Sequence, residues 1–109
     1  LHSFPTRRSS DLEPVNSCMV LAAECDGAVI TTVEGLAKDG KLTLLQETLI
    51  QAGGVQCGFC TPGMLISASA LLNRNPNPTD TEIRAAIVGN LCRCTGYYRI
   101  VEAIKQSAK

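Results

Sequence analysis

Six cysteines constrain this chain more than any other feature, and four of them stand in two tight pairs. Cys57-Gly58-Phe59-Cys60 spells C-x-x-C and Cys92-Arg93-Cys94 spells C-x-C, with 31 residues (61 to 91) between the pairs. Each pair runs into a helix-start signal, Thr61-Pro62-Gly63 after the first and Thr95-Gly96-Tyr97 after the second. Helix N-termini carry unpaired N–H groups and partial positive charge, so four thiolates placed there suit a compact anionic inorganic cluster. Cysteine thiolates in fours are the usual ligands of 2Fe–2S and 4Fe–4S units. Zinc and disulfides are the competing readings. A zinc ribbon pairs two C-x-x-C knuckles ~15–20 residues apart, a shorter gap than this one and without a C-x-C. A thioredoxin-type motif needs one C-x-x-C beside a βαβ pattern, and the chain has no such pattern. Disulfide frameworks belong to small secreted chains that lack a core, whereas 45% of these residues are hydrophobic. Spacing therefore ranks an iron–sulfur cluster first, zinc second and disulfides third.

Length allows one domain, or one domain with a remnant of another. Two Phe, two Tyr and no Trp make the core aliphatic. Ten basic residues balance ten acidic ones, leaving no basic stripe for nucleic acid. No apolar run approaches the ~18–20 residues of a membrane span, and cytoplasmic location is the default expectation.

Taken in order, Leu1 to Leu12 (LHSFPTRRSSDL) has neither apolar periodicity nor the h-region of a signal peptide. The string resembles one translated frame of a common sequencing adapter, so it is expected to be non-native and is set aside in reasoning about the fold. His2, the single histidine, falls inside it and receives no role. Asp26-Gly27 signals a turn, and the β-branched run Ala28–Val33 reads as a strand. Helical spacing begins after Lys41, with Leu42, Leu45, Leu49 and Ala52 on one stripe stopped by Gly53-Gly54. Thr61-Pro62 opens a second helix whose stripe is Met64, Leu65, Ala68, Leu71 and Leu72, with Met64 read as core filler. Thr79 and Glu82 have capping-box spacing for a third helix facing inward through Ile83, Ala86 and Ile87. Gly96 is expected to open a fourth, with Ile100, Val101 and Ile104 inward and Lys105 and Lys109 near its end. Gly58 and Gly96 are either close-approach or simple turn positions. Cys25 reads as a small buried hydrophobe.

QCGFCTPGM (56–64) and GNLCRCTGYYRIVEAI (89–104) together resemble the helical iron–sulfur domain of the molybdenum hydroxylase, or xanthine dehydrogenase, family. That family includes aldehyde oxidoreductase, aerobic carbon monoxide dehydrogenase and the quinoline-type oxidoreductases. The resemblance runs from about Glu13 to Lys109. One minor departure is Thr43-Leu44, where family members often carry His-Pro. The resemblance implies a mainly α fold: a compact four-helix iron–sulfur domain, residues 37–109, preceded by a remnant strand of a plant-type ferredoxin (β-grasp) domain, residues 13–36. It implies that the strand Ala28–Val33 lacks its partners in this chain, and that residues 13 to 33 are loosely held. The chain is thus expected to be an N-terminally truncated small subunit.

The resemblance also implies the chemistry. Cys57, Cys60, Cys92 and Cys94 would ligate one 2Fe–2S cluster. Gln56 and Cys94 would contact the pterin of a molybdenum cofactor on a large partner subunit. Electrons from the molybdenum centre would pass one at a time through this cluster, towards a second 2Fe–2S cluster and FAD on a medium subunit. Cys18 stands where the fourth ligand of that second cluster belongs, and the other three have no counterpart here, which leaves it an orphan. Arg93 would face either cluster charge, a partner or solvent. Tyr97 and Tyr98 would line the path to the cofactor or pack a domain edge. No catalytic residue is expected on this chain. The alternatives are a structural zinc module, or an inactive fragment lacking the first cluster.

Overall fold

The computed structural model describes residues 3–7 and 13–108; His2 and Lys109 lie outside them. Four helices carry the core: α1 (Leu44–Gln51), α2 (Thr61–Arg74), α3 (Asp80–Ile87) and α4 (Tyr98–Ser107). Ahead of them come β1 (Ser3–Arg7), β2 (Glu13–Asn16) and β3 (Val29–Ile30). The mainly α, four-helix architecture is the one the sequence predicts.

Each helix begins and ends for a local reason. At α1, Thr43 Oγ1 accepts the Gln46 N–H at 3.3 Å while Gln46 Oε1 accepts the Thr43 N–H at 2.8 Å. This is a full capping box. The helix ends in a Schellman motif, with Gly53 N–H on the Ile50 carbonyl and Gly54 N–H on that of Leu49. Gly53 sits at φ +76°, and a Cβ on Gly54 would fall 2.5 Å from Leu49 Cδ1. Only this glycine pair allows the chain to turn so sharply towards Gln56 and Cys57. Pro62 fits the first turn of α2, where no N–H is needed.

α2 is the central helix. Gly63 to Ala68, Ala70 and Leu71 are all buried, nearly the whole circumference. A helix apolar on all sides needs neighbours on all sides, and α2 has them: α1 and α3 pack against it, as do β1 and β2. The core joins Leu45 and Leu49, Met64, Leu65, Ala68 and Leu71, Ile83 and Ile87, and Ile100, Val101, Ala103 and Ile104. Met64 is core filler, as its place on the stripe predicts. Leu42 does not join as expected, since it precedes α1 and is exposed, while Leu72 is half-buried and packs against the cluster.

The N-terminal region departs from expectation. β1 lies between β2 and β3 in an antiparallel sheet, with Phe4 opposite Val15 and Thr6 opposite Ile30. The expected strand Ala28–Val33 shrinks to Val29–Ile30, because Val33–Gly35 winds into a 3-10 turn. Nor is it without a partner, since it pairs with Thr6 and Arg7 of the segment set aside as non-native. Ladder bonds join backbone to backbone, so an extended segment can fill the place whatever its side chains. None of the β2 or β3 residues is fully buried. Among the described residues, no helix is long and apolar enough to cross a membrane.

The third helix gives a direct test of its cap. Thr79 Oγ1 accepts the Glu82 N–H at 3.3 Å and Glu82 Oε1 accepts the Thr79 N–H at 2.9 Å. Thr79→Ala is expected to lower unfolding free energy by about 1 kcal/mol in urea titrations. The Thr79 backbone and hydroxyl, with Asn75, hold the Glu82 carboxyl below its ordinary value. Its contribution is therefore complete above the ordinary carboxylate pKa and lost as pH falls through the lowered one. The penalty of Thr79→Ala should shrink in that acid range.

Candidate metal centre

The two cysteine pairs meet on one side of the helical domain. Cys60 is the N-cap residue of α2, so the first pair does sit at a helix N-terminus. The second does not. Three residues separate Cys94 from α4, and Gly96 (φ +67°) and Tyr97 (φ +70°) both take left-handed backbone that a helix cannot contain. Cys92 and Cys94 thus lie in an irregular loop. Asn90 moors the start of this loop to α2 by donating to Ser67 Oγ at 2.8 Å.

The loop's inner bonds converge on Cys92. The Tyr97 hydroxyl accepts the Cys92 N–H at 3.0 Å, Thr95 Oγ1 lies 3.0 Å from Cys92 Sγ, and the Thr95 N–H reaches the same sulfur at 3.4 Å. On the other arm, the Phe59 N–H points at Cys57 Sγ at 3.5 Å. Cys60 and Cys92 are half-buried against the core, while Cys57 and Cys94 are exposed. An open depression of about 550 Å³ is lined by Cys57, Phe59, Cys60, Leu91, Cys92, Arg93 and Tyr97.

The thiols engage two by two. Each thiol is perturbed by one from the other arm, Cys57 by Cys94 and Cys60 by Cys92. The Phe59 N–H and the Cys94 thiol lower the pKa of Cys57, and Cys94 is correspondingly raised as the donor to Cys57. Burial and donation to Cys92 push Cys60 up to about 11. Cys92 feels desolvation too, but bonds from the Thr95 side chain and backbone and from Cys60 outweigh it and bring the thiol down to about 7. In each pair one thiol is thus made more acidic than its partner, Cys57 over Cys94 and Cys92 over Cys60. Among the described residues, no three Cys, His, Asp or Glu side chains converge on a single-ion position. Two pairs of thiols suit a two-metal unit with two ligands per metal better than one tetrahedral zinc. The Thr61 hydroxyl, one residue past Cys60 in the first turn of α2, is buried without a hydrogen-bond partner.

The remaining expected positions fall around this centre or away from it. Gln56 is exposed immediately before the first pair, and Arg93 is exposed between the ligands of the second. Tyr98 is exposed, whereas Tyr97 is half-buried against the core. Cys18 is exposed on a 3-10 turn of the N-terminal region. Cys25 is half-buried rather than buried, its thiol 3.8 Å from the Leu21 carbonyl, because it ends a surface 3-10 turn, Ala22–Cys25, none of whose residues is buried. Sequence reasoning missed Asn90, Thr95 and the Thr43–Gln46 cap. The last was readable, since Thr-Leu-Leu-Gln is a capping-box string.

Comparison with known proteins gives the same picture. Residues 32–105 match the family model of the 2Fe-2S binding domain. The nicotinate dehydrogenase small FeS subunit of Eubacterium barkeri is 53% identical over 97 residues, covering 89% of this chain and 62% of that protein. The xanthine dehydrogenase iron-sulfur-binding subunit of Escherichia coli O157:H7 is 47% identical over 97 residues, covering 87% and 61%. Quinoline 2-oxidoreductase from Pseudomonas putida 86 superposes with a TM-score of 0.87 at 42% identity, over 97% of this chain and 63% of that one. The chain thus spans about three-fifths of these relatives. By sequence and by fold, it belongs to the 2Fe-2S binding domain family, in the form carried by the small iron–sulfur subunits of xanthine dehydrogenase-family molybdenum hydroxylases.

Proposed function

We propose that this chain holds one 2Fe–2S cluster on Cys57, Cys60, Cys92 and Cys94 and serves as the electron-transfer small subunit of a molybdenum hydroxylase. The observation that carries the reading is that Cys57, Cys60 and Cys92 line one depression, with Cys94 two residues from Cys92, inside the stretch that matches the 2Fe-2S binding domain. When bound, such a cluster supplies a one-electron couple. The chain's own residues supply a rigid seat: Cys60 and Cys92 abut the core, so little needs to move as charge changes. Gln56 and Cys94, both exposed beside the seat, are the proposed contacts to the pterin of a molybdenum cofactor on a large subunit. FAD on a medium subunit and a second 2Fe–2S cluster complete the proposed electron route, and Cys18 is the proposed orphan ligand of that second cluster. Residues 1–12 are proposed to be non-native, which recovery of the natural upstream coding sequence would decide.

The test is metal content. Anaerobically purified protein should contain about two irons and two acid-labile sulfides per chain, and show a rhombic spin-half EPR signal after dithionite reduction. Stoichiometric zinc in a colourless, EPR-silent protein would overturn the reading in favour of a structural module.

A further inference from the structure

A closed ring of bonds surrounds Cys92. Its N–H donates to the Tyr97 hydroxyl at 3.0 Å, the Tyr97 N–H donates to Thr95 Oγ1 at 3.1 Å, and Thr95 Oγ1 lies 3.0 Å from Cys92 Sγ. The Thr95 N–H adds a second bond to that sulfur at 3.4 Å. Tyr97 takes φ +70° to turn its N–H back onto Thr95, a conformation a bulky residue holds only where its surroundings over-determine it. Tyr97 gives α4 only its backbone carbonyl, which accepts the Val101 N–H at 3.0 Å, and no side-chain cap bond. Its hydroxyl and its N–H serve the cysteine loop.

We propose that Thr95 and Tyr97 are positioning residues that set the electron affinity of the cluster through Cys92: Thr95 by hydrogen bonding to the ligand sulfur, Tyr97 by fixing the Thr95 hydroxyl in the donating orientation. The proposal rests on the reading above that Cys92 ligates the cluster. A ligating thiolate has no proton to give, so in the 3.0 Å contact the Thr95 hydroxyl is the donor. The Tyr97 N–H occupies an acceptor lone pair of that oxygen and fixes its rotor, and donors linked in series polarise one another. Reduction adds one electron to the cluster–thiolate unit and makes its sulfurs more negative. A donor on sulfur therefore stabilises the reduced form more than the oxidised one and raises the midpoint potential. Thr95 and Cys92 are both half-buried, which limits replacement of the hydroxyl by water.

EPR-monitored redox titration of the full chain, loaded with iron and sulfide, tests this on the unmodified protein, Thr95→Val, Thr95→Ser and Tyr97→Phe. Thr95→Val is expected to titrate at a more negative potential and Thr95→Ser at the unmodified one. Tyr97→Phe, which frees the Cys92 N–H and loosens the turn, should shift in the same direction by less. A Thr95→Val protein with unchanged potential overturns the proposal, as do equal shifts in the valine and serine variants. An unchanged Tyr97→Phe overturns the role of Tyr97. If Thr95→Val retains no iron, a loaded Thr95→Ser at the unmodified potential still supports the hydroxyl's role, and failure of both to load overturns it. An unmodified chain that holds no iron would instead sink the cluster assignment itself.

Discussion

Cys92→Ser should take the protein from about two bound irons to nearly none, with loss of the visible absorbance and of the reduced EPR signal. Cys57→Ser, from the opposite arm, should do the same. The argument is chemical and geometric together. A serine hydroxyl is neither soft nor ionised near neutrality, so it does not replace a thiolate on iron. Each of these sulfurs is also perturbed by one partner from the other arm, Cys94 for Cys57 and Cys60 for Cys92, so no neighbouring thiol is spare. Cys18→Ser and Cys25→Ser supply the contrast, because both positions lie in the N-terminal region. Iron and sulfide should stay at the unmodified level in those two variants. Retention of iron in Cys92→Ser, or its loss in Cys25→Ser, would mean that the ligand set is wrong.

The second large effect is expected in the core. Ile83 has 0% of its surface exposed, and with Ile87 it is one of only two fully buried residues on α3. Ile83→Ala leaves a cavity among side chains from several helices, and such truncations cost about 2–5 kcal/mol. A domain of this size has about 5–15 kcal/mol in all, so roughly an eighth of its stability at the least is at stake. Melting followed by circular dichroism should fall by roughly 4 °C or more for each kcal/mol lost. Val88→Ala, one residue past the same helix and 77% exposed, should stay within about 0.5 kcal/mol of the unmodified chain. Equal losses from the two variants would show that α3 is not held by its inward face.

Much of this was legible in the sequence where the cause is local. Thr79 and Glu82 announced α3 because a capping box needs only four consecutive residues. Leu45, Leu49, Ile100, Val101 and Ile104 announced their inward faces because helical period is written in the spacing. The C-x-x-C and C-x-C motifs named the residues that meet, but not which sulfur pairs with which. That pairing depends on how α2 and α3 return the chain, a property of packing. Thr95-Gly96 looked like a second helix start by analogy with Thr61-Pro62. Yet the bond between the Tyr97 hydroxyl and Cys92 accompanies a left-handed turn that no residue preference of Tyr foretells. The strand Ala28–Val33 failed for a related reason. β-branching marks extended backbone, whereas the identity and length of a ladder are set by the partner strand, here Ser3–Arg7.

Cys60 and Cys92 lie within reach of each other across 31 intervening residues, the stretch that holds α2 and α3. In polymer terms, a metal unit bridging them is a cross-link closing that loop. By the chain-entropy model, a closure of this size removes about 3–5 kcal/mol of freedom from the unfolded chain. Ligand binding and folding then share one equilibrium, because the unfolded chain cannot hold its four thiols together. The helices should melt at a lower temperature without iron than with it. Iron supply during synthesis thus becomes a determinant of how much of this chain reaches its fold.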